Sequence, residues 1–258
     1  MIEQRHKLIL GIHGVMPETL PAVRALVDRL ERHGRAPATL LVVPGREWRP
    51  GELAELRRWR DQGHELGGQG WSCRAPAGRW PWPRSRAPAE HLACDADGVV
   101  RLIRRCRSWF DEHDLGAPRL YVPPRWEMGR VRRLDIRSAG FRYFEYPQGF
   151  YDARIGVFQR VPRLGFDAVT AWGALLRRGL NRQALEASRR YGWLRVVVRP
   201  QDLNGRLGEA LAALTDGPGG RAASVAELFE SGPPEALAPP RLQRAGRRVR
   251  TGQASSVG

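Results

Sequence analysis

Hydrophobic positions along the chain come in short runs of β-branched and leucine residues, each followed by a stretch in which apolar residues recur every three or four positions. Residues 7–12 form the first such run, and Leu20, Val23, Leu26, Val27 and Leu30 then mark one face of a helix over 19–33. The unit repeats. Residues 39–43 predict a second strand, stopped by Pro44-Gly45, and Leu53, Leu56 and Trp59 predict the helix after it. A third strand enters the glycine-rich stretch Gly67-Gly68-Gln69-Gly70, while 71–88 is too rich in proline and arginine to be regular. Residues 97–113 predict a helix with Val100, Ile103, Trp109 and Phe110 inward. Residues 120–122 predict a strand capped by Pro123-Pro124, 131–139 a helix and 141–146 a strand. Shorter strands are expected at 155–161 and 168–170, then a helix over 173–191 that Gly179 would interrupt. Residues 194–198 predict a last strand, apolar enough to be buried on both faces of a parallel sheet, and helices around 205–214 and 224–230 follow.

Strand and helix alternating this often implies parallel strands with helical crossovers, in an open doubly wound sheet or a closed barrel. In either architecture chemistry collects on the loops after the strands. That rule selects His13-Gly14, Pro44, residues 69–73, 123–126 and 199–202.

Length and composition suit one domain: 258 residues, 42% of them hydrophobic and 27% charged. The expected boundaries are 1–232 for the domain and 233–258 for a basic, disordered tail carrying Arg241, Arg244, Arg247, Arg248 and Arg250. No apolar run is long enough to span a membrane, and the short polar start points to the cytoplasm. Cys73, Cys94 and Cys106 have neither zinc-knuckle spacing nor a disulfide-framework pattern, which fits thiols in a reducing compartment. The net charge of +16 raises the question of a polyanion partner. All but one of the 43 basic residues are arginine, spread over predicted helices and loops alike, and no nucleic-acid-binding motif is present. A nucleic-acid partner is therefore not expected.

The strand-end motifs, in order, are Ile12-His13-Gly14-Val15, Leu41-Val42-Val43-Pro44, the segment from Gly63-His64-Glu65-Leu66 to Gln69-Gly70-Trp71-Ser72-Cys73, Val122-Pro123-Pro124-Arg125-Trp126 with Gly140-Phe141-Arg142-Tyr143, and Val198-Arg199-Pro200-Gln201-Asp202. Over residues 7–230 this series resembles the polysaccharide deacetylase superfamily, in particular a bacterial branch whose first strand ends in His-Asp-Val. The resemblance implies an α/β fold, a distorted (β/α) barrel in a single domain, whose active members use a divalent metal to remove acetyl groups from amino sugars. Such a metal polarises the amide carbonyl and activates a water. Its usual ligands are an aspartate and two histidines, and a separate acid protonates the departing amine.

Carried onto this chain, the resemblance places Gly14 at the aspartate position, Gln69 and Cys73 at the two histidine positions, and Arg199 at a late histidine. Glycine offers no ligand, glutamine a weak neutral one, and arginine cannot lose its proton near neutral pH. The expectation is a degenerate member without the catalytic metal and without another cofactor, related to carbohydrate deacetylases and taking a carbohydrate or small anionic ligand. Its alternative is an active amide hydrolase, with zinc or another divalent metal or with rearranged residues around His13, Cys73 and Asp202. Candidate catalytic residues are thus His13 and Asp202, and candidate ligand-binding residues are Gln69, Trp71, Cys73, Trp126 and Arg199. His13 reads first as a hydrogen-bonded structural histidine beside a tight glycine turn and second as a general base. The loop holding Trp71, Trp80 and Trp82 among arginines reads as a recognition segment for an anionic glycan or as a loop pinned down by its tryptophans. Oligomeric state is not set by the sequence.

Overall fold

The structure is a computed structural model that describes residues 6–73, 89–217 and 220–232. The proposed tail and the tryptophan-rich stretch 74–88 lie outside the described residues. Nine strands form one sheet: β1 (Lys7–Val15), β2 (Thr39–Val42), β3 (Glu65–Gln69), β4 (Leu120–Val122), β5 (Tyr143–Tyr146), β6 (Gly149–Asp152), β7 (Val157–Arg160), β8 (Arg163–Gly165) and β9 (Trp193–Val198). Across the sheet their order is 7-6-5-4-3-2-1-9-8. The pairs from β1 through β5 are parallel, as are β1 with β9 and β8 with β9. The sheet curls into a half-barrel with β7 and β8 at its edges, the distorted barrel of a single domain.

Helices α1 (Leu20–Arg32), α2 (Pro50–Asp61), α3 (Ala96–Glu112), α4 (Ala171–Tyr191), α5 (Gly208–Asp216) and α6 (Val225–Glu230) complete it. Alternate residues of each strand face two cores. The larger, with Leu10, Ile12, Leu40, Phe144 and Val196, lies under the helices, where α1 and α3 bury the stripes read from the sequence. The smaller, with Ile9, Leu41, Leu120, Tyr143 and Trp193, lies inside the curl and is covered by Val225 and Leu228 of α6.

Several sequence expectations fail for identifiable reasons. Residues 131–139 form only a 3-10 turn, Asp135–Ser138, because Leu134 faces solvent and Ile136 and Ala139 alone cannot bury a helical stripe. The chain reverses after β5, so β5, β6 and β7 are antiparallel, and the strand expected over 155–161 begins only at Val157. Residues 168–170 are not a strand; the edge strand is β8, whose three residues are too few for a periodic signal. Gly179 does not interrupt α4, since it faces open space and costs helix propensity alone. In β9 the run carries Arg195, which is 1% exposed.

Candidate functional site

All five selected strand ends meet at one mouth of the half-barrel, where a cleft of about 230 Å³ is lined by His13, Gly14, Gln69, Cys73, Trp126 and Arg199, among others. The backbone there is locally strained. A register shift interrupts β1 between His13 and Val15, and Gly14 in the shift takes a φ of 73°. Cys73 (φ 65°), Arg125 (φ 57°) and Trp126 (φ 59°) are also left-handed, and all three line the cleft. Left-handed non-glycine residues concentrate where the surrounding structure fixes a functional geometry.

Two of the positions are joined directly. The backbone N–H of Gly14 donates to Oε1 of Gln69 at 2.6 Å, so the ends of β1 and β3 are stitched by a hydrogen bond. The Cys73 thiol donates to the carbonyl of Gln69 at 3.2 Å. Its loop is held by Glu90, a buried carboxylate that accepts from the backbone N–H of Trp71, from that of Ser72 (2.7 Å) and from the Ser72 hydroxyl (2.6 Å). On the first strand's loop, the Thr19 hydroxyl donates to the carbonyl of Gly14 at 2.8 Å.

Beneath the cleft, inside the curl, lies a polar network that the sequence reading missed. Oε1 of Glu145 accepts from Nη1 of Arg195 at 2.8 Å and from Nε1 of Trp126 at 2.9 Å. Arg195 donates as well to the carbonyls of Tyr146 and Pro147, each at 2.8 Å. His13 packs against the Trp126 ring at 5.5 Å, and the Arg163 guanidinium covers that ring at 4.4 Å. Nε2 of His13 is 3.8 Å from Glu145 and has no hydrogen-bond partner among the described residues. The signal available in sequence was one charge in the middle of each of two strands, Tyr143–Tyr146 and Trp193–Val198. Isolated charges in buried strands need a partner, and these two supply each other.

Burial pushes the His13 imidazole down to about 4; Glu145 opposes this, and Arg195, Arg199 and Arg163 reinforce it. The ring is therefore neutral near pH 7 and a weak base. His91 is lowered to about 4 by the same desolvation. Both histidines take up a proton near pH 6.5 in the unfolded chain and only near pH 4 in the folded one. Unfolding consequently binds protons between these values, and each histidine makes stability fall as pH drops through that window, by about 1.4 kcal/mol per pH unit. Glu65 and Asp202, both raised by burial, act with the opposite sign near its acid end. Denaturant unfolding at pH 7 and pH 5 is expected to be less pH-dependent in His13→Gln than in the natural protein; equal slopes would remove this role for His13.

Asp202 does not line the cleft. Its carboxylate accepts the backbone N–H of Arg199 at 2.8 Å, which fixes the turn after β9. Trp71 also lies outside the lining: its carbonyl accepts from the Gly45 N–H at 2.8 Å and its ring is covered by Arg105 at 3.9 Å. Arg199 lies at the cleft edge, 3.4 Å from Asp167. Arg46 and Arg125 line the cleft with it, and among the described residues no carboxylate does. Among the described residues no three His, Cys, Asp or Glu side chains cluster as a metal site would require. Among the described residues the donors at the mouth do not make up a divalent-metal site: Gly14 has no side chain, the Gln69 amide oxygen accepts from the Gly14 N–H, and His13 and Cys73 are only two further donors.

No family profile and no curated protein sequence matches the chain. Solved structures do. The Xyl-CE4 domain of a multidomain xylanase from the hindgut metagenome of Trinervitermes trinervoides is 15% identical, with a TM-score of 0.52 over 88% of this chain and 91% of that one. A Mycobacterium smegmatis protein assigned as a polysaccharide deacetylase is 16% identical, with a TM-score of 0.52 over 83% of this chain and 76% of that one. The half-barrel, with its strand ends meeting at one mouth, is thus the fold of the polysaccharide deacetylases.

Proposed function

We propose that this protein is a deacetylase-fold binding protein whose cleft takes a small anionic carbohydrate and performs no metal-dependent deacetylation. The observation that carries this reading is the 2.6 Å hydrogen bond from Gly14 to Gln69. It ties the ends of β1 and β3 together, protein to protein, and engages the Gln69 amide oxygen as an acceptor. Deacetylation needs a polarised carbonyl and an activated water, and among the described residues His13 and Cys73 alone do not make up the three or more donors of a metal site. Arg46, Arg125 and Arg199 on the cleft instead suit a carboxylate or phosphate, which guanidinium groups bind through paired N–H donors. The volume of about 230 Å³ lies below the roughly 300–1,000 Å³ of drug-sized ligand sites, which suits a single substituted sugar rather than a polymer segment.

In this reading the thiols belong to a reducing compartment, the cytoplasm, and residues 233–258 are a dispensable tail. Calorimetric titration with a uronic acid and with a sugar phosphate is expected to show saltable binding that neutral glucose lacks. Arg199→Ala should weaken it by about 10-fold or more, the worth of one charge-assisted hydrogen bond. Equal binding of the neutral sugar, or no loss in the variant, would contradict the assignment.

A further inference from the structure

The long helix α4 is attached to the sheet by one narrow face. Ala174 and Ser188 are its buried residues, Asn181 exchanges two hydrogen bonds with the backbone of Gly165 (3.1 and 2.8 Å), and Arg177 pairs with Asp167 at 2.8 Å. These positions recur at helical spacing and define the inward side. On the opposite side lie Trp172, Leu175, Leu176 and Leu180, each more than half exposed, and Val169 just before the helix is 94% exposed. The apolar stripe of a helix normally faces the core, so here it points the wrong way for folding alone. The same helix carries five arginines against one acid, Glu186, with Arg178 and Arg182 flanking the stripe.

We propose that α4 docks on an anionic lipid surface, with Trp172, Leu175, Leu176 and Leu180 in the headgroup boundary and Arg178 and Arg182 on the phosphates beside them. Charge selects this occupant over a second copy of the chain. At a net +16, two such faces would bring like charges together, whereas an anionic leaflet attracts them. The helix lies on the surface and does not cross it, since no helix among the described residues is long and apolar enough to span a membrane. β8 runs parallel to β9 and β1, so α4 starts at the rim of the cleft, and the Arg206 guanidinium holds the carbonyl of Val169 there at 3.1 Å. Docking therefore places the cleft mouth beside the lipid.

The test uses the full chain in co-sedimentation with vesicles of phosphatidylcholine and phosphatidylserine at about three to one, and of phosphatidylcholine alone. Binding is expected on the mixed vesicles, weakened by salt and lost by about 10-fold or more in Leu175→Glu/Leu176→Glu. The melting temperature of that variant should be unchanged, because both side chains are already more than half exposed. Equal binding by variant and natural protein would assign attachment to another basic region and overturn the proposal. So would equal binding to neutral vesicles, no binding at all, or a dimer in solution that the variant dissociates.

Discussion

Glu145→Leu is expected to lower the stability of the fold by about 3–5 kcal/mol, the cost of leaving one member of a buried ion pair without its partner. Arg195 would keep the carbonyls of Tyr146 and Pro147 but lose its only counter-charge among the described residues, and the Trp126 N–H would lose its acceptor. Both groups stand inside the curl, where solvent cannot replace the lost partner: Arg195 is 1% and Glu145 2% exposed. At roughly 2–4 °C per kcal/mol for a chain of this size, the melting temperature should fall by about 10 °C. Removing both charges together, Glu145→Leu/Arg195→Met, should recover most of the loss, since two apolar side chains replace a pair whose attraction largely offsets its desolvation. Denaturant unfolding of the two single variants and the double variant checks this. Losses that simply add would show that the pair is not coupled.

The second large effect is a gain. Gly14→Asp, Gln69→His, Cys73→His and Arg199→His, made together, should create zinc binding roughly 100-fold or more tighter than that of the natural protein. The backbone accepts the first change: the φ of 73° at Gly14 lies in the left-handed region, which aspartate, like asparagine, adopts more readily than most larger residues. The nearest atom to an added Cβ is the Met16 methyl at 4.0 Å. Gln69→His releases the Gly14 N–H and supplies an imidazole, Cys73→His supplies another, and Arg199→His removes a permanent cation from the cleft edge. Zinc titration against a chromophoric chelator reads the result. Failure to gain affinity would mean that the positions share a cleft without converging on one point.

The parallel strands were legible because strands buried on both faces appear as short apolar runs, and β1, β2 and β9 each stop at a proline, a glycine or an arginine-proline pair. From that followed the placement of Gly14, Gln69, Cys73 and Arg199 at a common mouth, because parallel strands deliver their carboxyl ends to the same side. The Arg195–Glu145 pair was not legible as a pair: its members lie 50 residues apart, and each looks like one polar interruption of an apolar strand. Glu90 escaped for a different reason. It returns to the segment 71–73 from 18 and 19 residues downstream, across a stretch with no periodic signal. Strand β6, and with it the hairpin to β7, was missed because a four-residue strand carries too few alternations to separate from a loop.

As proposed above, the mouth of this deacetylase fold works without a metal. Metal analysis of the natural protein, purified without chelator and paired with an amidase assay on acetylated amino sugars, tests it most directly. Substoichiometric metal and no chelator-sensitive amidase activity are expected. Stoichiometric zinc, nickel or cobalt, removed by chelation together with that activity, would contradict it.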